Sequence, residues 1–409
     1  MASIKLNSQE IVSFKSSTSK HLLSSSVVFD PVLLKMLHPV IDYTYNSVNY
    51  RVHVFKSSGT FYTPVDVQNS DVIVQAGGGA GGHAVNGDGG SGGGAGGMIV
   101  RTNFTIPAGS YEVTVGAGGF QPCNSTDLTS GAGGNTSDKQ FTEGGVTFMI
   151  GNPGTAYPYA QGQDSYFGYV DGTLSNAYEL KAFGGGSGGC YGFGNPVDVA
   201  LGNNRLTPEL YQGGRAGGCG GGGGGHSGYQ GGASTQTSHN GGTGYGNAGC
   251  QTDSTSGNAN IGGGGGIGGE GGYSDDWDDD DSETYDSYVP RLSGGVGKKN
   301  FLVDIDTTIT MLRACNLGHH GHLGGGGASS YSNSSPGRGG VGGGGHSNTN
   351  SAGPNENNMG PGYDGMPNTG GGGGGSGRVG GQDNTDYFPL RDRGGAGGSG
   401  LVLVRYIRT

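Results

Sequence analysis

Few residues of this chain have side chains able to do chemistry, and they fall into three groups. An acidic run, Asp275, Asp276, Asp278, Asp279, Asp280, Asp281, Glu283 and Asp286, surrounds Trp277, the only tryptophan. Clustered carboxylates suit a hard cation, which makes Asp275, Asp278 and Asp280 candidate Ca²⁺ ligands. The spacing lacks the D-x-D-x-D-G pattern of a hand-type loop, and the competing reading is a solvated loop whose like charges repel. The same stretch offers Tyr273, Trp277, Tyr285 and Tyr288 as aromatic contacts for a receptor. His319, His320 and His322 follow Cys315 and could chelate a transition metal. Their flanks are glycine and supply no second shell, so the alternative is a polar tip packed on glycine backbone. Asn103, Asn124, Asn135 and Asn333 open N-x-[ST] triplets. These are glycan acceptors only on a eukaryotic secretory route, and in an Asn- and Ser-rich chain they also arise by chance.

No catalytic motif accompanies these groups. Glycine doublets make GxGxxG matches inevitable, and none opens an amphipathic helix as dinucleotide binding requires. GxxxxGK[ST] is absent. Cys123, Cys190, Cys219, Cys250 and Cys315 are widely spaced, odd in number and without a CxxC pair, which excludes a zinc knuckle or a redox motif. Small buried or free thiols are one reading; one or two disulfides in an oxidising setting are the other. The chain is expected to be no enzyme and to need no cofactor beyond Ca²⁺.

The elements that carry these residues are set by glycine. There are 98 glycines in 409 residues, roughly a quarter of the chain against an ordinary share of about 7%. Glycine loses the most backbone freedom on folding, so order must come from dense backbone hydrogen bonding or close backbone packing. The alternative is a disordered low-complexity chain, but ordered-looking strands punctuate the glycine. A net charge of −11 with no basic stripe argues against nucleic acid. No stretch of about 18 apolar residues exists to span a membrane. The most apolar N-terminal stretch, residues 27–41, is interrupted by Asp30, Pro31, Lys35, His38 and Pro39, so no secretory signal is expected. An extracellular composition without a signal fits a virion component.

Composition changes abruptly at residue 77: Gly59 is the only glycine before it. Residues 1–50 read as a Ser-rich assembly or anchoring arm with one short helix at 32–37, capped by Asp30 with Pro31 in its first turn. Its apolar clusters are too small for a core of their own, so a partner would order it. Residues 51–409 form the glycine-rich domain. Val52, Val54, Phe61, Val72 and Val74 alternate within short runs and predict β-hairpins. Tyr111, Val113 and Val115 share a strand face. Residues 301–311 alternate as a strand with Phe301, Val303, Ile305, Ile309 and Met311 on one face. Leu401–Ile407 is apolar on both faces and predicts a buried central strand. The glycine runs at 220–225, 262–266, 324–327, 342–345 and 370–375 can be neither helix nor ordinary strand. Their ordered form is the extended three-fold helix, packed side by side. Segments 153–180, 227–260, 273–290 and 346–369, rich in Ser, Asn, Thr and Tyr, read as polar surface loops. The fold class is therefore mainly β, with short strands, packed polyglycine II-type helices and very little α-helix.

One order of elements recurs in a known family. A strand-turn Phe55-Lys-Ser-Ser-Gly-Thr-Phe61 leads to Pro64, and a strand runs into glycine at Val72-Ile-Val-Gln-Ala-Gly-Gly-Gly79. Pro107-Ala-Gly-Ser-Tyr-Glu-Val-Thr-Val-Gly-Ala-Gly-Gly119 follows, and the chain closes Gly400-Leu-Val-Leu-Val-Arg-Tyr406. From about residue 51 onward this resembles the glycine-rich domain of bacteriophage tail-fibre proteins and of other viral and extracellular structural proteins. It is also similar to phage tail-tip adhesins, where packed polyglycine helices support variable recognition loops. The resemblance implies a surface-exposed appendage without catalysis. The expected partners are further copies and other virion proteins through residues 1–50, and a host receptor or glycan through the loops. The alternative is an extracellular filament whose subunits join by strand addition of the arm.

Overall fold

Apolar residues alternating between residues 40 and 115 become antiparallel strands, and the glycine segments continue from their ends. The computed structural model describes residues 4–6, 9–11, 38–82, 90–120, 139–143, 146–150, 160–168, 179–189, 213–224, 230–251, 261–272, 292–302, 304–330, 337–348, 362–377 and 394–408. The chain forms two units, Met1–Met36 and Leu37–Thr409. In the first, β1 (Ile4–Leu6) pairs antiparallel with β2 (Gln9–Ile11). The helix expected at 32–37 lies outside the described residues.

The second unit is mainly β. Its strands are β3 (Val40–Tyr45), β4 (Val48–Phe55), β5 (Gly59–Thr63), β6 (Val67–Gln75), β7 (Met98–Ile106), β8 (Gly109–Thr114), β9 (Lys139–Glu143), β10 (Val146–Ile150), β11 (Ser165–Phe167), β12 (Leu180–Ala182), β13 (Thr243–Tyr245) and β14 (Leu401–Ile407). A six-stranded antiparallel sheet has the order β13-β7-β6-β14-β4-β3, a four-stranded sheet the order β12-β11-β8-β5, and β9 pairs with β10. Residues 40–50, assigned to the arm by composition, are β3 and the start of β4. They contain no glycine, but Asn46 and Ser47, with φ of 48° and 64°, close a two-residue hairpin whose twist suits its strands.

β14 is central, as its two apolar faces require. It pairs with β4 from Val402–Phe55 to Ile407–Tyr50 and with β6 from Leu401–Gln75 to Arg405–Asp71. Leu401 and Leu403 join Val52, Val54 and Ile73 in one core; Val402 and Val404 join Val72, Val74, Phe61 and Phe167 in the other, where the four-stranded sheet covers the face. Arg405 and Asp71, both buried, pair at 2.6 Å in the middle of the sheet, and Arg405 also donates to the Tyr43 hydroxyl at 3.3 Å.

The first core is covered by a helix, not by the strand expected over 301–311. Helix α1 (Ile305–Ala314) is capped by Asp304, whose carboxylate accepts the Thr307 N–H at 2.6 Å, and it carries Asp306 in its first turn and Arg313 in its last. Alternation of apolar residues concealed a second pattern. Thr307, Thr308, Met311 and Leu312 are buried together at helical spacing, and the Thr308 hydroxyl bonds back to the Asp304 carbonyl at 3.1 Å.

Beyond the sheets, backbone bonds to backbone with a period of three. In residues 90–97, the N–H groups of Gly90, Gly93 and Gly96 donate to the carbonyls of Ser376, Gly373 and Gly370. Those of Ser91, Gly94 and Gly97 go to Gly189, Gly186 and Phe183, and those of Gly92 and Ala95 to Gly262 and Gly265. Successive residues thus face three different neighbours, and every third residue returns to the same one. Residues 76–82 and 324–330 repeat the pattern with other neighbours. Only a bare Cα permits this approach: a Cβ at Gly222 would lie 1.9 Å from the Gly262 carbonyl oxygen, and one at Gly93 would lie 2.3 Å from that of Gly79.

Gly222→Val is therefore expected to destabilise the second unit by about 3 kcal/mol or more, at the upper end of overpacking, as read from denaturant melts. Equal midpoints for variant and parent would contradict the packing. Asp71→Ala should cost about 3–5 kcal/mol because it leaves Arg405 buried and unpaired. Removal of residues 400–409 should leave β4 and β6 without their shared partner and yield insoluble protein.

Candidate recognition surface

The direction of each glycine segment follows from its hydrogen bonds. Residues 76–82 continue β6 away from the six-stranded sheet, and 90–97 lead back into β7. Residues 183–189 and 370–376 run parallel to 76–82, shown by Gly185–Gly77, Gly188–Ala80, Gly373–Gly79 and Ser376–Gly82. Residues 394–400 run antiparallel to it, through Gly78–Gly398 and Gly81–Gly395, and enter β14. Residues 219–223 oppose 90–97, residues 261–267 oppose 219–223, and residues 324–330 oppose 261–267.

Following these pairings along the chain brings nine pairs of described segment ends to one end of the bundle, the end away from the six-stranded sheet: those that flank 83–89, 121–159, 190–212, 225–229, 252–260, 273–291, 331–336, 349–361 and 378–393. In each, the chain leaves the bundle running away from the sheet and re-enters running toward it. Several connections have closely tied roots. Gly82 N–H meets the Ser91 carbonyl at 2.7 Å, Gly272 N–H that of Ser293 at 2.8 Å, and Tyr363 N–H that of His346 at 2.9 Å. At the sheet end some segments turn back within a few residues, as where Gly266 N–H reaches the Gly269 carbonyl at 2.9 Å, and others pass through strands or α1 before they return.

Tyr273, Asp275, Trp277, Asp278, Asp280, Tyr285 and Tyr288 lie outside the described residues, between Gly272 and Ser293 in the chain. Asn124, Asn135 and Asn333 also lie outside them; Asn103 does not. It is exposed on β7 with φ of 53°, and its N–H bonds to the Asp71 carboxylate at 3.0 Å.

His319, His320 and His322 lie in a tight turn. His319 and His322 exchange backbone hydrogen bonds of 3.0 Å across His320 and Gly321, and the His322 Nδ1–H donates to the His320 carbonyl at 2.8 Å. Burial, then the charges of His320, His346 and His322, hold His319 below the usual imidazole range. Among the described residues no three His, Cys, Asp or Glu side chains group as metal ligands. Cys219 and Cys315 are buried free thiols, each pushed up to about 12 by burial.

The loop boundaries need correction. Within 153–180, residues 160–168 include β11 and bury Ala160 and Phe167; within 227–260, residues 230–251 include β13. Within 346–369, Gly362, Gly365 and Thr369 are buried, while Tyr363 and Met366 are 59% and 42% exposed, large apolar groups left at the surface. A side-chain feature invisible to patterning closes the edge of β12. The Lys181 N–H donates to His239 Nε2 at 3.0 Å, the Phe183 N–H to Gln236 Oε1 at 2.9 Å, and Asn240 Nδ2 to the Glu179 carbonyl at 2.8 Å. Polar residues at 236–240 look like loop in sequence; in the fold they stand in for a fifth strand.

No protein-family model matches the chain, and no curated protein matches it. No helix among the described residues is long and apolar enough to cross a membrane.

If the end connections are separate from the body, replacing 349–361 by a short Gly/Ser bridge between the tied roots at His346 and Tyr363 should leave the melting temperature within about 2 °C of the parent, the scale of a change of about 1–2 kcal/mol in a unit of this size. A fall of about 10 °C would place that stretch in the core.

Proposed function

We propose that this protein is a non-enzymatic structural component of a viral particle, a fibre, spike or tail appendage that presents its end connections to a host surface. The observation that carries the reading is the meeting of nine pairs of segment ends at one end of a body held by backbone hydrogen bonds. A rigid body that confines sequence variation to one end is suited to recognition, because loops on a fixed scaffold can change without altering the core. On this reading the glycine segments are polyglycine II-type helices, supported by the three-residue period of their donors. Tyr273, Trp277, Tyr285 and Tyr288 are the proposed receptor contacts. Tyrosine and tryptophan give large amphipathic contact area at low entropic cost. The resemblance of the strand motifs to the glycine-rich family of tail fibres points the same way.

A second reading, a filament subunit, is favoured by one feature. β3 is the outer strand of the six-stranded sheet, and Val40 on it is 51% exposed, so a strand from another subunit could add there.

The two are separated by electron microscopy of particles labelled through an epitope inserted in 349–361. Label at the particle surface, together with competition of particle attachment by the soluble protein, is the expected result. Unlabelled particles, or a purified protein that grows into filaments and does not compete, would overturn the first reading.

A further inference from the structure

Two imidazole rings hold backbone N–H groups that nothing else among the described residues is shown to bond. His239 Nε2 accepts the Lys181 N–H at 3.0 Å, and its Nδ1 faces the Thr237 carbonyl at 3.4 Å, so Nδ1 carries the proton. His346 Nδ1 accepts the Gly339 N–H at 3.2 Å, while the His346 carbonyl accepts from Tyr363. A backbone amide can only donate, so both ring nitrogens must be unprotonated for these bonds to exist. Protonation would set N–H against N–H, removing the bond and adding repulsion. We propose that His239 and His346 are acid-released latches, the first opening the edge of β12 and the second loosening the root of the connections at 331–336 and 349–361.

The surroundings of both rings set when this happens. His239 faces the Lys181 ammonium, itself paired with Asp164 at 2.7 Å, together with the Glu179 segment of β12's entry and, beside Gly241, Arg101 of β7. Burial first, and the Lys181 charge, hold it below the ordinary value of 6.5, against the Thr237 carbonyl. His346 is an exposed residue whose ring stands edge-on to Tyr363 at 6.4 Å, with Arg338 and the His319 turn as its charged and titratable neighbours. Desolvation and then Arg338 hold it down as well. In both cases the folded value is depressed. The bonds are therefore complete above 6.5, and their contribution is lost as pH falls from there through the folded values.

The fold provides matched controls. Phe183 N–H, two residues from Lys181, donates to the non-titrating Gln236 Oε1 at 2.9 Å; Gly337 N–H, two residues from Gly339, donates to Ser347 Oγ at 2.8 Å. Residue-resolved amide exchange of the full chain, corrected for intrinsic rates, should be compared at about pH 7.5 and about pH 5, on either side of the ordinary imidazole range. Protection of Lys181 and Gly339 is expected to fall about tenfold relative to Phe183 and Gly337, the scale of one lost hydrogen bond. His239→Gln and His346→Asn each keep an acceptor oxygen near the lost nitrogen and cannot titrate, so each should abolish the pH dependence at its own amide alone. If all four amides lose protection together, or if the variants keep the parent's pH dependence, the latches do not exist.

Discussion

The structure depends on one constraint: most glycine N–H groups in the bundle bond to a carbonyl on a neighbouring segment at a distance that leaves no room for a side chain. Where Gly373 N–H meets the Gly79 carbonyl at 2.9 Å, a Cβ on Gly373 would fall 2.0 Å from the Gly395 oxygen on a different neighbour. The backbone groups are satisfied and the sterics forbid substitution by the same arrangement. Glycine costs backbone entropy, and side-chain burial cannot repay it here; dense backbone pairing offsets it instead. The abundance of glycine is thus a packing requirement.

Such a bundle has little side-chain information with which to choose its register, since a slip of three residues restores every bond. The β-sandwich supplies that information. Residues 76–82 leave β6, 90–97 enter β7 and 394–400 enter β14, three adjacent strands whose pairing is fixed by Val72, Val74, Ile99, Val402 and Val404 on one face and Ile73, Val100, Leu401 and Leu403 on the other. The buried Arg405–Asp71 pair adds a polar registration mark between β14 and β6. From these three starting segments the period of three carries the register outward. The result is a body in which nine pairs of segment ends collect at one end.

Much of this was legible in the sequence, for physical reasons that can be named. Two-residue alternation placed β4, β6 and β8, and apolarity on both faces placed β14 in the centre of the sheet. Glycine runs announced close backbone approach because nothing else tolerates it. The helix α1 was not legible because residues 301–311 satisfy both periods; the decision rests on Asp304 as a cap and on buried Thr307 and Thr308, residues that a hydrophobicity pattern ignores. The arm boundary was drawn by glycine content, which says nothing of β3, a strand with no glycine that pairs along its whole length with β4. Which segments neighbour one another in the bundle was also hidden, since one glycine tract looks like another. His239 and Gln236, which close the β12 edge, gave no signal beyond polar composition.

The most direct measurement is amide hydrogen exchange across the glycine segments in the intact protein. The account predicts that residues 90–97, 261–267, 324–330 and 370–376 exchange as slowly as β14, because their N–H groups are bonded and their opening requires neighbours on three sides to separate. Exchange of these glycines at rates close to those of an unfolded chain, beside a protected β14, would contradict it.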